Sequence, residues 1–171
     1  KDKAKQSAYL AADYNYSDGP TEASQRFKRL NIFGKYNIAI NERSQLSVSL
    51  SAFKSSWNAS GQIPERAVRQ GLITRFGSID PTEGGVTERY NLNAILNTQL
   101  NNKWQLENQV YYSRYLFNLY SNFTFFANDP VNGDGIHQKD NRNLFGYRSA
   151  LVKKSFAGDW KIKSTFSAGV R

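Results

Sequence analysis

Residues 46–54, LSVSLSAFK, and residues 90–100, YNLNAILNTQL, decide the fold. In the first, Leu46, Val48, Leu50 and Ala52 alternate with Ser47, Ser49, Ser51 and Phe53. In the second, Tyr90, Leu92, Ala94, Leu96 and Leu100 alternate with Asn91, Asn93, Asn97 and Gln99. Successive side chains of a strand point to opposite faces, so each stretch reads as a strand with one apolar and one polar face. The two are expected to be neighbours, joined by the segment Trp57–Tyr90. That link is far longer than the two to five residues a tight hairpin needs. Within it, Pro64–Gly71 predicts a short helix, with Pro64 at the first helical position, Glu65 at the positive end and Gly71 at the exit. Asp80–Gly85 predicts a turn that returns the chain to a strand.

The same alternation extends outward on both sides. Upstream, strands are expected at about Lys5–Tyr16 and Arg26–Ile40, the second carrying Leu30, Ile32, Gly34, Tyr36, Ile38 and Ile40 on its apolar face. Downstream, a fifth strand opens at Trp104 and sets Leu106, Val110 and Tyr112, with one polar exception, Asn108, against Gln105, Glu107, Gln109 and Tyr111. A second long loop is expected over about Asn118–Asn141, aromatic in its first half. A sixth strand, about Arg142–Lys153, has an ambiguous phase; Phe145, Tyr147 and Leu151 are placed on the apolar side because the other phase puts Arg148 there. A last strand runs from Trp160. Short turns at Asn41–Ser44, Asn101–Lys103 and Ala157–Asp159 alternate with the long links. About seven strands result, with no helical periodicity of comparable length.

The chain has 171 residues, no cysteine, one histidine, 14% aromatic residues and a formal net charge of +9. Absence of cysteine excludes disulfides, thiolate metal sites and thiol chemistry. No apolar run reaches the roughly 18 residues of a transmembrane helix. The mean hydropathy of −0.64 looks soluble, but alternating strands cancel in such an average. No basic run is longer than two residues, as at Lys153-Lys154, so no nucleic-acid partner is expected. The chain opens on Lys1 with no signal-peptide pattern, which suggests a mature or excised piece.

Strand length and the purity of the apolar face favour a membrane barrel over a soluble sheet. A membrane-spanning strand needs about 9–11 residues, whereas soluble strands average about 5–6. Mid-strand, the apolar face carries no charge; Lys54 and Arg114 share its parity but are expected at strand ends, where they would snorkel to headgroups. Trp104, Trp160, Tyr14, Tyr16, Tyr90 and Tyr112 sit near strand ends, as interfacial aromatic belts do. The fold class expected is all-β: an antiparallel, up-and-down transmembrane β-barrel segment with short periplasmic turns and long extracellular loops.

The loop also resembles something specific. GQIPERAV (residues 61–68), GLITRFGSIDPTEGG (71–85) and TERYNL (87–92) look like the barrel of TonB-dependent outer-membrane receptors of the Bacteroidetes type. The match is clearest over about Gln25–Leu100. The resemblance implies a 22-stranded barrel closed by a plug, and TonB-driven uptake of siderophore iron, cobalamin or glycans. It places residues 1–171 in one barrel domain of the cell outer membrane. An internal fragment with two unpaired edges is expected, since no plug pattern or TonB-contacting segment is visible. Outer-membrane lipid, lipopolysaccharide, TonB through the plug, and the cargo are the partners it implies. A complete small barrel with an anchoring or adhesive role, and a soluble carbohydrate-binding β-sandwich, stay open as alternatives.

No cofactor is expected and no enzyme constellation stands out. His137 with Asp134 and Asp140 is the best catalytic pattern, and Asn128, Asp129, Asn132 and Asp134 the best calcium-like one; a plain polar loop is preferred for both, and no metal site is expected. Asn58-Ala59-Ser60 and Asn122-Phe123-Thr124 match glycosylation acceptors by pattern alone. Cargo contact is expected in the extracellular loops and upper lumen. Arg66, Arg69 and Arg75 suit an anionic cargo such as a ferric siderophore. Tyr115, Phe117, Tyr120, Phe123, Phe125 and Phe126 suit stacking on a sugar or catecholate.

Overall fold

A computed structural model describes residues 6–171. Lys5, where the first strand is expected to begin, lies outside the described residues. Seven strands follow in order: β1 (Gln6–Ser17), β2 (Phe27–Asn41), β3 (Ser44–Asn58), β4 (Gly84–Gln99), β5 (Trp104–Ser121), β6 (Ile136–Ala157) and β7 (Trp160–Val170), with one short helix, α1 (Glu65–Arg69), between β3 and β4. They form one sheet in the order β1 to β7, each strand hydrogen-bonded to its chain neighbours. Every pairing is antiparallel. The sheet is open: among the described residues β1 pairs only with β2, and β7 only with β6.

Register turns the strand-by-strand alternation into a property of the whole sheet. One row across it reads Leu10, Gly34, Leu50, Leu92, Tyr112, Phe145, and the row two residues lower reads Ala8, Tyr36, Val48, Ala94, Val110, Tyr147, Val170. The phase chosen for β6 holds, because Phe145, Tyr147 and Leu151 pair with Tyr112, Val110 and Leu106 of the apolar face. Nothing in the described chain covers this face. Leu10 is 77% exposed, Leu50 56%, and Phe145 and Phe166 63% each. Among the described residues the buried apolar ones are only Ala67, Ala150 and Val152, and no second sheet or helix layer there supplies a hydrophobic core.

The opposite face is knitted by side-chain hydrogen bonds. Asn37 donates to Ser7 at 3.2 Å and accepts from Ser47 at 2.6 Å. Asn91 donates to Ser51 at 2.8 Å and accepts from Ser113 at 2.7 Å, and Gln109 donates to Asn93 at 2.7 Å. Ion pairs join Arg29 to Asp13 at 2.7 Å and Arg148 to Glu107 at 3.3 Å. Tyr111 lies over Gly146, where an added Cβ would run into its ring.

Several expected boundaries are corrected, most of them in the direction of longer strands. Gly84 and Gly85 are not part of a turn; they open β4, paired with Asn58 and Trp57. Gly84 has φ +145, and a Cβ there would collide with the Trp57 carbonyl. Gly85 is confined too, since a Cβ would sit 2.8 Å from the Asn118 carbonyl and 2.9 Å from the Trp57 ring. The loop expected over Asn118–Asn141 shrinks from both sides, as β5 continues to Ser121 and β6 starts at Ile136. Lys54 and Arg114 therefore do not end their strands. Lys54 pairs instead with Glu88 at 2.8 Å on the adjacent strand. Pro64 is the extended residue before α1, with ψ 125, rather than its first helical residue. The helix leaves through Gly71 at φ +70, which suits a residue without Cβ.

Candidate functional site

The long connections gather at one end of the sheet and are tied to one another. From the β1–β2 loop, Glu22 donates its backbone N–H to the Phe76 carbonyl at 2.8 Å, and its carboxylate accepts from the Thr74 hydroxyl at 2.6 Å. Asn58 joins the same loop, donating to the Gln25 carbonyl at 2.7 Å. From the β5–β6 loop, the Asn122 amide donates to Asp80 at 2.9 Å, while its oxygen accepts from the Phe125 backbone at 2.8 Å. Asn122 is 5% exposed, a structural bridge rather than an accessible glycosylation acceptor.

Two carboxyls in this knot are pushed in opposite directions. The Thr82 hydroxyl, followed by the Asn122 amide and the Thr82 backbone, holds the Asp80 pKa below its ordinary value. Burial pushes the Glu83 pKa up, with the Asp80 charge adding to the push and the Asn122 backbone N–H opposing it. Glu83 is 7% exposed, and its Oε1 has no hydrogen-bond partner. It lies where a Cβ on Gly61 would be.

The residues expected to touch cargo are not brought together. Arg66 and Arg69 lie on exposed surfaces of α1, with Arg69 paired to Glu65 at 2.6 Å; Arg75 is exposed in the loop that follows. Tyr115, Phe117 and Tyr120 are strand residues of β5, not loop residues. Tyr115 and Phe117 share the polar face and stack at 6.3 Å between centroids. Tyr120 has the opposite parity and stacks on His137 at 4.3 Å. Phe123 and Phe126 are exposed in the β5–β6 loop, while Phe125 is half-buried with φ +59.

The structure adds two residues that the sequence reading missed. Arg89 and Arg142 pair across Tyr115 in the register Arg89, Tyr115, Arg142. Each guanidinium carbon stands 5.2 Å from the Tyr115 centroid. Arg142 also pairs with Asp140 at 2.9 Å, whereas no carboxylate within ion-pair distance of Arg89 is found among the described residues. With Phe117, this makes a cationic and aromatic patch on the polar face, close to the loops. Strand parity was the available signal, because all three central residues belong to the polar set.

The catalytic and calcium-like patterns dissolve into local structure. His137 Nε2 lies 3.2 Å from the Asn118 side-chain oxygen. Asp134 accepts backbone N–H groups from Asn128 at 3.0 Å and Asp129 at 2.8 Å; Asp129 in turn accepts from Val131 and Asn132 at 2.9 Å each. Among the described residues, no three metal-ligating side chains cluster.

No family model matches this chain, and no curated protein does. Among solved structures, the cryo-EM structure of the gasdermin A3 membrane pore aligns at 10% identity with a TM-score of 0.15, over 95% of this chain and 63% of that chain. A score that low carries no structural argument. The chain is therefore defined by its own architecture: an all-β, open, seven-stranded up-and-down antiparallel sheet with one apolar and one polar face.

Proposed function

We propose that this sheet is part of the wall of a TonB-dependent outer-membrane transporter, with lipid against the apolar face and a watery lumen against the polar one. The observation that carries the reading is the uncovered apolar face, on which Leu10, Leu50, Phe145 and Phe166 are all more than half exposed. In water such a surface would cost about 25 cal/mol for each Å² left bare; hydrocarbon removes that cost. Strand lengths support the reading. The shortest, β7, has 11 residues and the longest, β6, has 22, against about 9–11 needed to cross.

The apolar belt has a fitting height. Leu46 to Lys54 covers about 26 Å along β3 at roughly 3.3 Å per residue, or about 20 Å upright at a barrel tilt of about 40°. Trp104 and Trp160 at the short-turn end, and Tyr16 at the other, extend it toward the roughly 25 Å of an outer-membrane barrel; Tyr90, expected near a strand end, lies mid-strand opposite Ala52. Transport, the 22-stranded closure and TonB coupling rest on the loop resemblance. Cargo of the siderophore, cobalamin or glycan class would meet the Arg89, Tyr115 and Arg142 patch on the lumen side, and TonB would act through the plug.

Size-exclusion chromatography tests the membrane half of the proposal. The chain is expected to elute as one species only in detergent; a monodisperse species in plain buffer overturns it. The flanking coding sequence tests the transporter half: a plug upstream and roughly a dozen or more strands downstream are expected.

A further inference from the structure

A cavity of about 370 Å³ opens at the upper edge of the apolar belt, lined by Arg26, Lys28, Ser56, Asn58, Val86 and Tyr120 among others. That volume falls within the usual range for small-molecule sites, about 300–1,000 Å³. Parity puts most of the lining on the apolar side of the sheet. Lys28, Ser56, Val86 and Asn118 form one row in register, directly above the row of Leu30, Lys54, Glu88 and Leu116. Tyr16 is the register partner of Lys28 on β1 and is 55% exposed. The lining thus begins where the lipid-side face changes from apolar to polar.

The charge there is unbalanced. Lys28 and Arg26 make no ion pair among the described residues, although the Asp18 carboxylate, which accepts the Arg26 backbone N–H at 3.0 Å, feels the Arg26 charge. Lys54, a diagonal neighbour of Lys28 at about 7–8 Å, is the one cation in the group held by a carboxylate, Glu88. Arg114 stands on the same face in the row below, beside Tyr90. The other carboxyl at the cavity is Glu83, which is 7% exposed and has an unpartnered oxygen. Burial disfavours its charged form. Two unpaired cations beside tyrosines, at the edge of an apolar belt, make a seat for an anion tethered to hydrocarbon.

We infer that Arg26 and Lys28 bind a phosphate-bearing headgroup of an outer-leaflet lipid. The cavity opens on the lipid side, so cargo in the lumen would not reach it. This rests on the membrane reading. The phosphate enters beside Lys28 and Arg26, and the acyl chains run down the belt over Leu30 and Ile32. Each basic residue near an anionic lipid surface contributes roughly a fivefold factor in affinity.

Native mass spectrometry of the protein released from neutral micelles tests this, using lipid A as the probe and its dephosphorylated form as the control. The wild type is expected to retain the phosphorylated lipid. The Arg26→Gln, Lys28→Gln double variant is expected to bind it at least tenfold more weakly, and Lys103→Gln at the opposite end of the sheet to bind it like the wild type. Inorganic phosphate at millimolar concentration should not displace it. Equal retention by the double variant, equal retention of the dephosphorylated lipid, or full competition by free phosphate overturns the site while leaving the membrane reading intact. Failure of the protein to enter micelles at all overturns both. Far-UV circular dichroism identical to the wild type shows that the double variant has kept its sheet.

Discussion

The lower and upper halves of this sheet use the same strands in different surroundings. In the lower half, around the row from Leu10 to Phe145, one face is mostly apolar, with Gln6, Asn108 and Ser149 as uncharged exceptions, and the other is hydrogen-bonded. Turns as short as Glu42-Arg43 and Gly158-Asp159 close it. In the upper half, β3, β4, β5 and β6 continue, but the formerly apolar face now shows Lys54, Ser56, Glu88, Asn118, Lys139 and Asn141. There the backbone ladder and the interlocked loops do the stabilising. On the proposed membrane reading, that difference is a change of solvent partway up the sheet, from hydrocarbon to water, with the strands continuing unbroken.

The sharpest break in this comparison is a charge placed in the lower belt. Leu50→Arg is expected to cost about 2–4 kcal/mol in micelles, whereas Ser49→Arg, one residue away on the other face, should cost less than about 1 kcal/mol through repulsion from its register partner Lys35. Reversible urea unfolding from micelles measures both. Gly84→Ala comes next. Its φ of +145 and the closeness of the Trp57 carbonyl should cost about 1–3 kcal/mol, seen as faster amide exchange in the upper half with the lower belt unchanged.

Asn122→Ala removes the tie between the β3–β4 and β5–β6 loops. A cost of about 1–2 kcal/mol is expected, visible as new proteolytic cleavage at residues 122–135. Glu83→Gln is the smallest effect and has the opposite sign. Burial raises the carboxyl pKa above its unfolded value, so folding favours the protonated form and stability falls as pH rises through that window. The glutamine variant should therefore gain stability at pH 7, and the gain should vanish as pH drops below 4.5, the ordinary value for this group. The urea midpoint followed against pH reads it.

The lower half was legible in the sequence because hydrophobicity there has a period of two: Leu46 to Ala52 and Tyr90 to Leu96 announce their own faces. The upper half was not. Where polar residues occupy both faces the alternation lapses, so Arg114–Ser121 and Ile136–Asn141 carry no pattern that separates strand from loop. Gly84-Gly85 carried a misleading one, since a glycine pair usually marks a turn. Here it clears space for Trp57 and the Asn118 carbonyl, partners distant in sequence. The candidate site was half legible for a related reason. Tyr115 and Phe117 stood out as aromatics, but Arg89 and Arg142 become its neighbours only once three strands are placed in register.

Absence of cysteine makes the central claim directly measurable. Single spin labels at Leu50→Cys and Ser49→Cys, in the protein reconstituted in lipid, sample the two faces at nearly the same height. If lipid covers the apolar side, the Leu50 label collides mainly with dissolved oxygen and the Ser49 label mainly with a water-soluble nickel chelate. Equal access of the chelate to both, or a Leu50 label shielded from both, would contradict the account.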